Sequence, residues 1–238
     1  MQSRGKLFLI PNYLSPENDF QVLAPMVLDI VRHLKYYLSE NIRNTRRFIS
    51  SLDLSIQIEQ LKMDVLDKGT SSSEMPGLMA PLLEGHDMGL MSEAGLPAIA
   101  DPGKIAVAYA HANNIPVVPL PGSSSIMLAL IASGFEGQTF TFHGYLPIDK
   151  AQRHIRIKKL EQDALRSGYT QIFMETPYRN MSLMDELLKT LHPETMLSVA
   201  SDITAKNQFI VSKRTYDWQK TKYELHKKPS IFSIGGRL

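Results

Sequence analysis

Apolar positions alternate along the chain between short runs and helical spacing. Leu7-Phe8-Leu9-Ile10 is a four-residue apolar run closed by Pro11-Asn12, which predicts a first core strand. Val22, Leu23, Met26, Val27, Ile30, Val31 and Leu34 then recur at spacings of three and four, the pattern of one helix face. Tyr36-Tyr37-Leu38 predicts a second short strand, and Asn44 to Ile49 a helix ended by Ser50 and Ser51. Ser71-Ser72-Ser73-Glu74-Met75-Pro76 opens another helix, its serines placed to cap free amides, and that helix is predicted to run to about Leu83. Met88 to Met91 and Val117 to Leu120 are predicted strands, each followed by a helix, Ile105 to Ala112 and Ile126 to Ile131. Strand, loop, helix in repetition predicts a mostly parallel sheet with helices on its faces.

The pattern changes after Phe140-Thr141-Phe142-His143-Gly144-Tyr145-Leu146-Pro147. A second series follows: a basic helix from about Lys150 to Arg166, strand Thr170 to Met174, helix Tyr178 to Leu191 and strand Met196 to Ala200. Gln208 to Ser212 and Ser230 to Ile234 are predicted as further strands. Charge divides in the same way. Residues 1–147 carry 10 Lys and Arg against 14 Asp and Glu, a balance of −4, and residues 148–238 carry 16 against 10, a balance of +6. A boundary in the stretch 115–147 follows, with two α/β domains at residues 1–115 and 116–238. A basic half attracts polyanions. The competing reading is solvated helix faces, with Arg153-His154-Ile155-Arg156-Ile157-Lys158-Lys159-Leu160 interleaved as on an exposed helix.

At 238 residues, 43% apolar and 21% charged, the chain is globular and long enough for one large core or two small ones. Cysteine is absent, which excludes disulfide frameworks, thiolate zinc sites and cysteine nucleophiles and fits a reducing compartment. No metal site is predicted. No run approaches the roughly 20 apolar residues of a membrane span, and the apolar stretch after Met1-Gln2-Ser3-Arg4-Gly5-Lys6 is too short for a signal peptide, so a cytoplasmic location is expected.

Open α/β sheets bind ligands at the carboxyl ends of their strands, and three loops stand there. Pro11-Asn12-Tyr13-Leu14 lacks the glycine of a phosphate-cradling turn, and neither G-x-G-x-x-G nor a Walker A sequence occurs, which argues against a standard nicotinamide or ATP site. Gly95-Leu96-Pro97 with Asp101-Pro102-Gly103 lets a ligand approach the main chain closely. Pro121-Gly122-Ser123-Ser124-Ser125 offers amides and hydroxyls at a helix start, or else is a plain helix cap.

Taken together, Ser92-Glu93-Ala94-Gly95-x-Pro97-x-Ile99-x-Asp101-Pro102-Gly103 and the later Pro119-Leu120-Pro121-Gly122-Ser123-Ser124 resemble the core motif of the tetrapyrrole methylase superfamily, the class III S-adenosylmethionine-dependent methyltransferases. Glu40-Asn41-Ile42-Arg43-Asn44-Thr45-Arg46 is similar to the E-D-T-R-x-T segment of its ribosomal RNA small subunit methyltransferase I branch, which methylates a ribose 2′-hydroxyl. Gly144-Tyr145-Leu146-Pro147 and Phe173-Met174-Glu175-Thr176-Pro177-Tyr178-Arg179 resemble its G-[FY]-L-P and F-Y-E-[ST]-P-H-R. The resemblance runs from about Lys6 to Gly235. It implies two α/β domains with S-adenosylmethionine in the cleft between them, a homodimer, and ribosomal RNA as methyl acceptor.

Carried over position by position, the resemblance implies donor contacts at Pro11, Asn12, Gly95, Leu96, Pro97, Ala98, Ile99, Ser124 and Ser125. From the second half it implies Met174, Glu175, Ile203, Pro229, Ser230 and Ile231. Glu40, Arg43, Glu93 and Glu175 are the candidate catalytic residues; His143 is read as structural, and a Glu175–Arg179 salt bridge is the alternative for Glu175. A ribose hydroxyl is a poor nucleophile, so a positioned carboxylate base would help it. Arg43, Arg46 and Arg47 make a basic edge suited to phosphates or to solvent.

The chain departs from the branch at three places. Ile10-Pro11-Asn12-Tyr13-Leu14 stands for T-P-I-G-N-L, Asn41 and Ile42 stand for Asp and Thr, and Asp202-Ile203-Thr204-Ala205 is followed by no acid through Val211. These departures keep two other readings open, methylation of a small molecule such as a tetrapyrrole-like ring, and donor binding without catalysis.

Overall fold

In a computed structural model of the chain, the described residues are 4–15 and 22–237. Met1-Gln2-Ser3, part of the segment read above for a signal peptide, lies outside them. The chain divides into two units, Met1–Ser124 and Ser125–Leu238.

The first unit is built on five parallel strands: β1 (Leu7–Leu9), β2 (Tyr36–Ser39), β3 (Lys62–Val65), β4 (Met88–Met91) and β5 (Val117–Pro119), in the order β3-β2-β4-β1-β5. Successive side chains of a strand face opposite sides, and here each side has its own core. Phe8, Ile10, Tyr37 and Met91 pack with α1 (Pro25–His33) and α2 (Ile42–Ser51) through Val27, Val31, Phe48 and Ile49. Leu7, Leu38, Met88 and Leu90 pack on the other side with α3 (Met75–Leu78), α4 (Ala80–Leu83) and α5 (Lys104–Ala112). Gly89 is required by its neighbours, since a Cβ there would come within 2.5 Å of Ile10 Cδ1 and 2.9 Å of the Tyr37 ring.

The predicted boundary after residue 115 is corrected by β5. Val117–Pro119 pairs in parallel with Leu7–Leu9, so the strand completes the first sheet and the division falls at Ser124/Ser125. The helix predicted from Ser71 to Leu83 is also corrected. It breaks into a 3-10 turn (Ser72–Glu74), α3 and α4, with Pro76 and Pro81 each inside a first turn, where a missing amide hydrogen costs nothing. Ser71 and Glu74 form a reciprocal capping box at its start.

The second unit holds β6 (Phe140–Tyr145), β7 (Thr170–Glu175), β8 (Thr195–Ser201), β9 (Phe209–Arg214) and β10 (Ser230–Arg237), in the order β6-β7-β10-β8-β9. Only β6 and β7 are parallel to each other; the other neighbours run antiparallel. Four helices accompany the sheet: α6 (Ser125–Ser133), α7 (Lys150–Ser167), α8 (Asn180–Thr190) and α9 (Thr215–Trp218). Asp149 caps α7 by accepting from the Gln152 amide at 2.9 Å, and Gly168 ends it at φ 75°. Ile157, Leu160, Phe173, Leu183, Trp218 and Phe232 lie in one core, where Trp218 Nε1 donates to the Leu197 carbonyl at 2.9 Å.

One reading of the basic helix does not hold. Arg153 is buried, its Nε donating to Glu186 Oε2 at 2.7 Å and its Nη1 to the Ile148 carbonyl at 3.0 Å. It ties the start of α7 to α8 instead of facing solvent.

Candidate active site

The chain leaves β1 through α1, on one face of the first sheet, and leaves β4 through α5, on the other. β1 and β4 are neighbours, so their carboxyl ends flank the switch point at which such sheets open a ligand crevice. Both loops there are held by Asn12. Its amide donates to the Gly95 carbonyl at 2.8 Å, its side chain donates to the Ser92 and Glu93 carbonyls at 3.1 and 2.9 Å, and its Oδ1 accepts from the Tyr13 amide. With its side chain buried and both side chain and amide engaged, Asn12 joins the two loops.

The loop after β5 meets the same place. A Cβ on Gly122 would overlap Pro11 Cβ, and one on Gly95 would lie 3.5 Å from the Ser123 carbonyl oxygen. Gly95 (φ 69°), Ala98 (φ 68°) and Ala100 (φ 61°) are left-handed, a conformation that favours glycine and strains alanine modestly. Asp101 holds that strained turn, Oδ1 accepting from the Ala98 amide at 2.9 Å and the Gly103 amide at 2.7 Å. Asp101 Oδ2 is buried and has no partner among the described residues. Burial raises the Asp101 carboxyl above its ordinary range, against the opposing amide bonds from Gly103, Ala98 and Ile99. Leu96 is half-buried, Pro97 buried, and Ile99 exposed at 44%. A depression of about 310 Å³ behind the turn is lined by Asp67, Lys68, Asp101 and Lys104, among others; it lies beside residues 100–105 and not beside 95–99.

The end of β2 brings Glu40 against Glu93. Burial raises the Glu40 carboxyl, the Glu93 charge raises it further, and an amide bond from Glu93 opposes both. Glu93 Oε1 accepts from Asn41 Nδ2 at 3.1 Å and from Asn44 Nδ2 at 3.0 Å. Asn41 is also the N-cap of α2, its Oδ1 accepting from the Asn44 amide at 3.3 Å, so one residue starts the helix and orients the carboxylate. Sequence reasoning missed Asn44. Its signal was the spacing of three from a helix-capping asparagine, which puts both amides at one helix start. Arg43, Arg46 and Arg47 are exposed on α2.

In the second unit, the predicted residues gather where β7 and β8 end and β10 begins. Ser230 is in register with Glu175 and with Ser201, and Ile231 with Met174. Ser230 Oγ donates to Ser201 Oγ at 3.0 Å. Glu175 is buried, and its Oε1 accepts from Arg179 Nη2 and the Thr176 amide, both at 2.6 Å. The salt bridge weighed for Glu175 is therefore formed. Ile203 is buried beside Asp202, whose amide donates to the Pro229 carbonyl at 3.0 Å and whose carboxylate meets Lys228 Nζ at 3.3 Å. Ser124 and Ser125 are both half-buried, at the entry to α6. His143 is occupied: Arg156 Nη2 lies 2.8 Å from Nδ1, so Nδ1 accepts and Nε2 donates to Gln171 Oε1 at 2.8 Å. Burial lowers its pKa, against the Gln171 bond, and the Arg156 charge lowers it further.

No model of a known protein family matches the chain. Proteins named Ribosomal RNA small subunit methyltransferase I do. The one from Micromonospora olivasterospora is 32% identical over 188 residues, covering 79% of this chain and 56% of the relative. One from Streptococcus pyogenes serotype M6 is 30% identical, covering 79% and 61%. One from Buchnera aphidicola subsp. Acyrthosiphon pisum is 25% identical over 235 residues, covering 98% and 79%. The chain thus matches between about half and four fifths of the length of these relatives. Among solved structures, the methyltransferase CobJ matches with a TM-score of 0.64 at 16% identity, covering 98% of this chain and 94% of that one. Uroporphyrin-III-C-methyltransferase from Thermus thermophilus matches with a TM-score of 0.58 at 18% identity and the same coverage.

Proposed function

We propose, for a chain that has the tetrapyrrole methylase fold and is a relative of the ribosomal RNA small subunit methyltransferase I proteins, that it is an S-adenosylmethionine-dependent methyltransferase acting on a ribose 2′-hydroxyl of small-subunit ribosomal RNA. The observation that carries this reading is the convergence of three strand-end loops on one switch point, with Gly122 against Pro11 and Gly95 pinned to Asn12. Such loops present main-chain groups and little side-chain bulk, which suits a donor carrying a carboxylate, an ammonium and ribose hydroxyls.

In this reading the proposed donor contacts are Pro11, Asn12, Gly95 to Ile99, Ser124, Ser125, Met174, Ile203 and Pro229 to Ile231. S-adenosylmethionine, when bound, supplies a methyl group on a sulfonium for in-line displacement by an oxygen. Glu40 takes the proton from the attacking hydroxyl, since burial and the Glu93 charge raise its affinity for one. Asn41 and Asn44 donate to Glu93 and so fix the position of that carboxylate near Glu40. Glu175, fixed by Arg179 and the Thr176 amide, anchors the loop after β7, and Arg43 meets the acceptor's phosphates. The enzyme works in the cytoplasm as a homodimer; among the described residues no helix is long and apolar enough to cross a membrane.

The test is transfer of labelled methyl from S-adenosylmethionine to purified small ribosomal subunits or their RNA, with the product mapped to a 2′-O-methylated nucleotide. Transfer to neither, under conditions where the donor binds, would remove the substrate assignment.

A further inference from the structure

Arg179 and Asn180 begin α8, and residues 226–229 run alongside that loop into β10. The two segments are tied together. The Lys227 amide donates to the Pro177 carbonyl at 3.0 Å, Asn180 Nδ2 to the Lys228 carbonyl at 2.6 Å, and Lys228 Nζ meets Asp202 at 3.3 Å. Lys227 is held left-handed at φ 59°. On this frame stands Tyr178, 71% exposed, an aromatic ring fixed at its base and open to solvent. His226 meets the ring edge-on, with centroids 6.2 Å apart and planes at 81°, and Lys227 Nζ lies 6.0 Å from its centroid.

Lys227 is the cation at the ring, and Glu224 Oε1 accepts from the His226 amide at 2.7 Å. Arg179 is paired with Glu175 and Lys228 with Asp202, while Lys227 has no ion pair among the described residues. A protein-binding aromatic is usually ringed by apolar contact surface, whereas this one is flanked by His226 and Lys227, on the half of the chain with a balance of +6. An exposed aromatic beside an unpaired cation is a recurring element of single-stranded nucleic-acid recognition: the ring takes a base and the cation takes a flanking phosphate.

We propose that Tyr178, with His226 and Lys227, is a stacking platform for an unpaired base of the RNA acceptor, Lys227 meeting a flanking phosphate. This rests on the RNA reading of function given above and adds where the strand is gripped. Tyr178 follows Glu175 by three residues, so the grip is built into the same loop that closes the donor side of the second unit. Stacking is tolerant of base identity, so the platform supplies affinity and alignment, and sequence choice lies elsewhere.

The experiment measures binding of a fluorescein-labelled 12-nucleotide single-stranded RNA by anisotropy, over a salt series, for the full chain and for Tyr178→Ala, Tyr178→Phe and Lys227→Gln. Tyr178→Ala is expected to weaken binding about tenfold, Tyr178→Phe less than about twofold, and Lys227→Gln to flatten the logarithmic salt slope by about 0.7. S-adenosylmethionine affinity, measured in parallel, is expected to be the same in all four proteins. Equal RNA binding by Tyr178→Ala and the unaltered chain would overturn the platform, as would an equal loss in Tyr178→Phe, which would assign the hydroxyl and not the ring. Loss confined to assembled subunits, with naked RNA bound normally, would assign Tyr178 to a protein contact and overturn it too. Methyl transfer to RNA by the unaltered chain separates the two readings: if transfer proceeds with an unchanged KM for RNA in Tyr178→Ala, only the platform fails.

Discussion

Glu40 sits under opposed influences. Burial, then the charges of Glu93 and Asp101, raise its pKa, while the Glu93 amide and Lys68 lower it, and the net direction is up. A base must be ionised to accept a proton, so transfer should fall as pH drops through a midpoint above the usual carboxylate range. Glu93→Gln removes a like charge and should move that acidic limb to lower pH; an unmoved limb would separate Glu40 from the reaction. Glu40→Gln should slow transfer by about 100-fold or more with donor affinity preserved, read as kcat against donor KM. A different residue carries stability. Arg153 and Glu186 are a buried pair, and Glu186→Ala strands a buried guanidinium, so a loss of about 3–5 kcal/mol is expected in urea unfolding. Nothing in the local pattern marked Arg153 as buried: it stands among Arg156, Lys158 and Lys159 at helical spacing, and its partner lies 33 residues away in sequence.

At the scale of elements, the loops of the first sheet act as one unit because Asn12 spans two of them. Asn12→Asp would set a carboxylate against the Ser92 and Glu93 carbonyls, and a loss of about 2 kcal/mol or more is expected by denaturant unfolding. These loops were legible beforehand because glycine and proline announce them, and the central strands because they are short apolar runs between turn residues. Other elements carried no such signal. Lys62–Val65 is an edge strand, largely exposed and half polar, and gives no apolar run. The antiparallel course of β8, β9 and β10 is a property of pairing, and apolar runs do not encode strand direction. The break at 115 failed for the same reason: Val117-Val118-Pro119 pairs with a strand more than a hundred residues earlier.

At the scale of the molecule, the two units hold different parts of the chemistry proposed here. The first carries the switch-point loops and the Glu40–Glu93 pair, and the second the cluster around Glu175 and the basic, aromatic surface at Tyr178. The charge contrast read from the sequence acquires a place in Arg179, Lys227 and Lys228, although which lysine is paired depended on contacts the sequence did not reveal. The central claim is that the converging loops hold S-adenosylmethionine, and calorimetric titration of the donor into the unaltered chain and into Gly122→Ala tests it most directly. Saturable binding to the unaltered chain, weakened at least about tenfold in Gly122→Ala with circular dichroism unchanged, is the predicted result, because the added Cβ displaces Pro11. No binding to the unaltered chain, or equal binding by both proteins, would contradict the account.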